Sequence, residues 1–497
     1  KVNCFVPKDV PLLKKNLEKE EEVEGFREYD ILFYKRYLID KNIELFREMR
    51  FKTYIDKKTN RIYVDSIESA EKNHLVDFSS FRWLAFDLET IEEDNKTKII
   101  FVSILTSDGY QSVITRHENN FKHAIVVDDE KELIEKLGEI IREQKADFIL
   151  TYNGDGFDFN VLFERAKAFK IQLQWSQTGD SFNYISTGIK KKAISFGLVH
   201  LDLYRFISVI MRGTLKTHSM KLNSVSEELL GLKKKDVSYS DIKKAWATKT
   251  NLEKIADYCL QDSLLTLKLA ENVFENMSSL SNLVSILPFD MCRSTYGYLV
   301  ESFAIKRVHD KNLIVPNKPT PEEIVRRKQM GLFKGAFVYE PKKGLKNNIS
   351  LFDFRSLYPS IIITHNIDPD TINCSCCGKI EKKEHKAPDY DFYFCEKNKG
   401  FIPVILEELL KKRIKIKSIM KEADEKDRKK LDAQQYALKI VANSFYGYMG
   451  FAASRYYDRR CSASTTSFGR YYIHKVIEEA KQDGFKVVYG DTDSVFL

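Results

Sequence analysis

Several absences narrow the field before any motif is read. No stretch approaches the roughly 18 consecutive apolar residues of a membrane helix, so a membrane-spanning bundle is not expected. No secretory signal is visible in the given chain, which begins at Lys1. The 8 cysteines, spread from Cys4 to Cys461, form no even framework, which argues against a disulfide scaffold and for a reducing, cytoplasmic interior. With 11 prolines and 21 glycines in 497 residues, there is no long Pro- or Gly-rich linker. No repeat of fixed period occurs. Neither sign of charge dominates: 80 basic against 72 acidic residues leave +8, which permits a polyanionic partner without demanding one. A hydrophobic share of 43% excludes a disordered chain, and the length exceeds a single core, so several domains are expected.

What the chain does contain is acids at the ends of apolar strands. Residues 81–90 read as such a strand, with Lys98–Thr106 as its hairpin partner, Glu130–Gln144 as a helix and Ala146–Tyr152 as another buried strand. This alternation predicts an α/β domain to about residue 273. Asp87 and Glu89, two apart, share a strand face while Leu88 points the other way. Asp158 follows the turn-rich Asn153–Phe157, and Tyr258 and Asp262 share a face of a helix over Leu252–Leu269. Each pattern alone is more often a solvated edge or turn. Together they offer the oxygen ligands that a hard divalent cation takes.

The back half repeats the theme. Asp353 follows the apolar Ile349–Phe352, and Pro359 suits a first helical turn. Lys486–Leu497 reads as one last apolar strand interrupted by Asp491 and Asp493, which share a face and call for a neutralising metal, with a hairpin turn as the alternative reading of the pair. Two helical segments span 404–450 around a charged joint, Lys421–Lys430. Lys439, Asn443 and Tyr446 fall along one helix face, and Arg413 and Lys417 along another. Such cations can grip phosphates, although a solvated face is the blander reading.

In order, DFRSLYPSI, KIVANSFYG and YGDTDS, behind the strand-end acids of the front half, resemble the polymerase motifs of family-B DNA-directed DNA polymerases and the three exonuclease motifs of their proofreading domain. YNGDGFDFNVL and SLYPSIIITHNIDPDTI are similar to the archaeal, euryarchaeal-like members. The resemblance implies an α/β and α+β multidomain fold. Its parts would be an N-terminal remnant (1–76), an RNase H-like 3′→5′ exonuclease (77–273), a connector (274–317), an antiparallel palm (318–402 and 452–497) and helical fingers (403–451), without a thumb. It implies primer extension on template DNA with dNTPs, using two Mg²⁺ or Mn²⁺ ions per site, and editing in the second site.

Residue by residue, the match implies that Asp353, Asp491 and Asp493 hold the synthetic metals, with the Phe354 carbonyl beside them. Asp87, Glu89, Asp158 and Asp262 would hold the exonuclease metals, and Tyr258 would orient the attacking water. Arg413, Lys417, Lys439 and Asn443 would bind the triphosphate, with Leu357 lining its path. Tyr358 would exclude a 2′-hydroxyl and Tyr446 would touch the nascent pair. Lys334–Ala336 matches a template-touching connector, and Gln177–Gly197 would contain a strand-separating hairpin. Pro7, Val10, Phe33 and Arg36 fall on the pattern of a template-uracil pocket. Because the chain ends four residues after Asp493, a separate C-terminal palm and thumb polypeptide is expected, or the chain is a fragment; a sliding clamp is expected by analogy. Cys374 and Cys377 have zinc-knuckle spacing, with Cys395 following and His385 or Cys376 as fourth ligand; a disulfide and free thiols remain alternatives.

Overall fold

The computed structural model describes residues 8–58, 61–117, 121–187, 190–234, 237–341, 343–378 and 384–497. They divide into two compact units. One comprises residues 44–282 with 287–295. The other comprises the described residues up to 43, with 283–286 and 296–497.

The first unit is built on a six-stranded sheet, in the order Val199–Asp202, Phe148–Thr151, Trp83–Glu93, Lys96–Thr106, Gln111–Thr115 and Ala124–Val126. Trp83–Glu93 pairs antiparallel with Lys96–Thr106 and parallel with Phe148–Thr151. From Ile99 to Ile104 the second of these strands is fully buried on both faces, which explains its unbroken apolar run. The helix Glu130–Gln144 begins where the Asp129 carboxylate accepts from the Glu132 amide at 2.8 Å. Its Leu133, Leu137 and Ile141 join Phe159 and Leu162 of the helix Asp158–Phe169 in one core with Leu84, Phe86 and Val102. The helix that carries Tyr258 and Asp262 runs over Leu252–Val284, well past the expected Leu269. The Ser103 hydroxyl ties it to the sheet, donating to the Cys259 carbonyl at 2.8 Å and lying 2.7 Å from Ser263 Oγ. A ribbon of Arg47–Asp56 and Arg61–Leu75 belongs to this unit, as does the short hairpin of Asn183–Thr187 and Lys190–Ile194.

The second unit holds a four-stranded antiparallel sheet in the order Val338–Tyr339, Tyr489–Asp491, Ser494–Phe496, Leu351–Asp353. Here the expectation of a single terminal strand is corrected. Residues 489–496 fold back on themselves as a hairpin, and Thr492 takes a left-handed φ of 52° in the turn. The two acids therefore do not share a strand face: Asp491 ends one strand and Asp493 stands in the turn. The Asp493 amide donates to the Asp491 carbonyl at 2.6 Å, the kind of tight turn that Asp-rich tetrapeptides favour. Ile473, Ile477 and Ala480 of the helix Arg459–Gln482 pack on this sheet with Val487 and Val495. The helices Phe401–Ile419 and Glu425–Gly450 pack on one another. The charged joint is shorter than expected because Asp424 caps the second helix, accepting from the Asp427 amide at 2.8 Å. Among the described residues no helix is long and apolar enough to cross a membrane.

Candidate active sites

In the first unit, strand alternation turns Asp87 and Glu89 away from buried Leu88. Asp158 opens the helix Asp158–Phe169 after a loop that the fold holds closely. Gly154 has no room for a side chain, since a Cβ there would lie 2.2 Å from Thr151 Oγ1. The buried Asp202 carboxylate accepts from the amides of Asn153 at 2.9 Å and Asp155 at 3.0 Å. Asp155 itself is committed elsewhere, to Arg293 at 2.7 and 3.0 Å. From the helix Leu252–Val284, Asp262 and Tyr258 meet Lys234, whose ammonium donates to both Asp262 oxygens at 2.7 and 2.8 Å and to the Tyr258 hydroxyl at 2.8 Å.

This gathering is electrostatically costly. Burial, then the charges of Asp158, Asp262 and Glu89, push Asp87 well above the usual carboxylate range. Burial and the charge of Asp262 push Glu89 up to about 8. Burial pushes Asp158 up to about 7. Burial also raises Asp262, against the pull of Lys234. One ammonium does not neutralise four acids. Asp158 Oδ1 is moreover buried with no hydrogen-bond partner. A hard divalent cation fits both facts, because it takes carboxylate oxygens and supplies the missing charge. Asp87, Glu89 and Cys259 bring ligand atoms within 4.8 Å of one another. Burial holds the Cys259 thiol protonated, so the carboxylates are the fitting donors to a hard ion. Lys234 and Cys259 were not foreseen. Lys234 is the middle residue of a three-lysine run, where nothing in the sequence separates it from a solvated charge.

In the second unit, Asp353 and Asp491 each stand opposite Ser494 of the central strand and so flank it. Asp493 joins them from the turn, its carbonyl accepting from the Phe354 amide at 2.7 Å. Burial, then the Asp353 charge, raise Asp493. The Thr492 hydroxyl donates to Asp491 at 2.9 Å, and the Tyr489 hydroxyl at 3.3 Å. Leu357 is buried at the first turn of the helix Leu357–Thr364. The next residue, Tyr358, lies with its ring 4.5 Å from that of Tyr446. Burial, then Tyr446 and Asp493, push the Tyr358 phenol up to about 12.

An open groove of about 470 Å³, whose lining starts two residues after Asp353, is formed by Arg355, Ser356, Arg413, Ile414, Lys417 and Lys421. Gln435 accepts from Arg413 Nε at 3.1 Å, which aims the guanidinium. Burial, then Arg355, lower its pKa, the mark of cations crowded for an anion. Lys439 and Asn443 do not line this groove; they stand exposed on the neighbouring helix, with half-buried Tyr446. Arg470, not foreseen, is buried, pairs with Asp389 and donates to the Lys334 carbonyl at 2.9 Å, fixing the backbone of the Lys334–Ala336 segment.

Of the remaining candidates, Cys374, Cys377 and Cys395 come together with Cys376. His385 is not part of that cluster; its ring lies edge-on to His365 at 5.8 Å. Of the four uracil-pocket candidates, Pro7 lies outside the described residues. Val10 sits in the helix Asp9–Leu17, and Phe33, exposed, opens the helix Phe33–Asp40. Arg36 is paired with Glu28 at 2.9 Å and Asp40 at 2.8 Å.

Comparison with known proteins bears on the family of the chain. The family described as DNA polymerase family B matches residues 292–497, and DNA polymerase family B, exonuclease domain, matches residues 25–225. The chain is 37% identical over 495 residues to DNA polymerase 1 of Pyrococcus abyssi, across 99% of this chain and 59% of that protein. It is 36% identical over 496 residues to a DNA polymerase of Thermococcus gorgonarius, with the same coverage. The solved family B DNA polymerase of Pyrobaculum calidifontis superposes with a TM-score of 0.79 at 26% identity, over 99% of this chain and 63% of that one. The chain thus spans about 59% of the length of these curated relatives. With residues 25–225 and 292–497 matched by the exonuclease and polymerase signatures of one family, the chain belongs to the family-B DNA polymerases.

Proposed function

We propose that this chain carries template-directed DNA synthesis in its second unit and 3′→5′ exonucleolytic editing in its first. The observation that carries the reading is the flanking of Ser494 by Asp353 and Asp491, with Asp493 in the turn, together with a groove lined by Arg413 and Lys417. Asp353, Asp491 and Asp493 would hold Mg²⁺, or Mn²⁺ in its place. When bound, such ions polarise phosphoryl oxygens and neutralise the charge of an in-line displacement. Arg413, Lys417 and Lys421 bind the β and γ phosphates of a dNTP and stabilise the departing pyrophosphate. Lys439 and Asn443 meet the nucleotide from the adjacent helix. Tyr358, braced by Tyr446, packs under the sugar and leaves no space for a 2′-hydroxyl.

In the editing site, Asp87, Glu89, Asp158 and Asp262 would hold the metal. Lys234 donates to the Tyr258 hydroxyl oxygen, so the phenol proton is free to point at a water or at the scissile phosphate. DNA is gripped chiefly through phosphates, so binding is salt-sensitive and independent of sequence. By the resemblance, the helices Phe401–Ile419 and Glu425–Gly450 act as fingers.

The experiment is extension of one labelled primer–template with Mg²⁺, with dNTPs added or withheld, and with or without a polypeptide carrying the part of the relatives that lies beyond the match. Shortening without dNTPs and lengthening with them supports both assignments. Absence of both activities in every arm sinks them.

A further inference from the structure

Four cysteines of the second unit are used by neither site. Cys374, Cys376 and Cys377 come from one short turn that ends at Gly378, and Cys395 from a segment about twenty residues on. All four sulfurs lie within 4.8 Å of one another. Cys376 Sγ is 3.5 Å from Cys395 Sγ, and Cys377 Sγ is 3.9 Å from both. All four are free cysteines, and the three distances exceed the roughly 2.0 Å of a disulfide. An ion about 2.3 Å from each sulfur at the centre of a tetrahedron requires sulfurs about 3.8 Å apart. The three measured edges bracket that length. An iron–sulfur cluster would spread its cysteines over several irons and set their sulfurs further apart. We propose that Cys374, Cys376, Cys377 and Cys395 form a structural site for one tetrahedral zinc ion.

The surroundings are those of a built site. The Asn398 amide donates to Cys395 Sγ at 3.2 Å, the kind of backbone bond that steadies a thiolate ligand. The two arms are fixed before any ion arrives. Ile372 and Phe394 form an isolated antiparallel bridge, the Cys395 amide donates to the Thr371 carbonyl at 2.9 Å, and the Tyr393 hydroxyl donates to the Cys374 carbonyl at 2.8 Å.

The location gives the ion a task. Asn366, just past the helix that begins at Leu357 and carries Tyr358, donates to the carbonyls of Cys395 at 2.7 Å and Asn398 at 2.8 Å. Its side-chain Oδ1 accepts from the Gly400 amide at 2.8 Å, where the helix bearing Arg413 and Lys417 begins. The zinc staple therefore ties the base of the helix under the sugar to the base of the helix along the phosphate groove.

The test is metal analysis of the chain purified without chelator or added metal, alongside Cys376→Ser, Cys395→Ser and His385→Ala. One zinc per chain is expected in the wild type and in H385A, with loss in both cysteine variants. Zinc that survives the cysteine substitutions would belong to the carboxylates and would overturn the proposal. So would a metal-free wild type, whether its thiols titrate as free or its mass shows a disulfide, and so would iron with labile sulfide. Because a cysteine variant could simply unfold, the wild type is also stripped and reloaded with Co²⁺. Thiolate-to-cobalt charge transfer with intense tetrahedral d–d bands supports the site, and the weak bands of an oxygen-bound octahedral ion overturn it.

Discussion

At the scale of single residues, the acids of the proposed editing site hold on to their protons. Glu89 is held at about 8 and Asp158 at about 7 in the folded chain, against ordinary values of 4.5 and 3.8. The folded state thus keeps protons that the unfolded state has already released, and stability falls as pH rises from the ordinary carboxylate range through 7 to 8. Without divalent metal, the melting temperature of the unit containing residues 44–282 should fall across that window, and Mg²⁺ should restore it. Calorimetry at several pH values with EDTA or Mg²⁺ reads this directly; a transition that ignores both pH and metal would contradict the shared-proton account. Lys234→Met removes the ammonium that bonds Asp262 and Tyr258. It should slow digestion roughly 10²–10³-fold, as loss of a preorganised charge does, and leave extension rates unchanged. Tyr358→Ala opens space beneath the sugar, and discrimination against ribonucleotides should fall roughly 10–200-fold, the range a shape contact can supply, measured as the ratio of kcat/KM values.

At the scale of elements, the second unit is pinned by a buried ion pair network. The Arg455 guanidinium, with a side chain 1% exposed, meets Asp30 at 2.9 Å and Glu301 at 3.3 Å, and donates to the Pro316 carbonyl at 2.8 Å. Arg455→Met leaves half-buried Asp30 without this guanidinium and buried Glu301 with Lys318 alone of its two cations, at 3.5 Å, and should cost about 3 kcal/mol in denaturant unfolding. A loss within about 0.5 kcal/mol, ordinary for a surface change, would mean the network relaxes around the gap. Periodic elements were legible in the sequence: the helix Glu130–Gln144 and the antiparallel partnership of strands 83–93 and 96–106 carry their own patterns. The terminal hairpin was legible only as an alternative to a single strand. Three-residue strands are too short to show alternation, and a turn of Asp-Thr-Asp reads equally well as an interruption in one strand. The acids of both sites were legible because carboxylates beside apolar runs conflict with burial. Lys234, Cys259 and Arg470 were not, because each acts through partners distant in sequence. Cys376 and His385 differ for the same reason: spacing alone cannot say which of two nearby ligands the fold turns inward.

At the scale of the molecule, the chain passes between its two units several times, yet each unit keeps its own sheet and its own acids. In the first unit Asp87 and Glu89 sit on a mixed sheet, with Asp158 and Asp262 brought in by two helices; in the second, Asp353 and Asp491 sit on a small antiparallel sheet backed by one long helix, with Asp493 in its turn. No residue is shared between the two sets of acids, so their losses should be separable. Asp353→Asn should reduce extension about 10³-fold or more, the effect of losing a metal-facing charge worth several kcal/mol, while digestion continues. Asp87→Asn should do the reverse, and each substitution exchanges a charge for an isosteric amide, so folding should hold. The measurement is single-turnover kinetics of both activities in both variants on one primer–template. Loss of both activities from either single substitution would mean that the two chemistries depend on one set of acids and would break the assignment of one reaction to each unit. Loss of only the expected activity in each would show that the chain carries two independent metal-dependent centres.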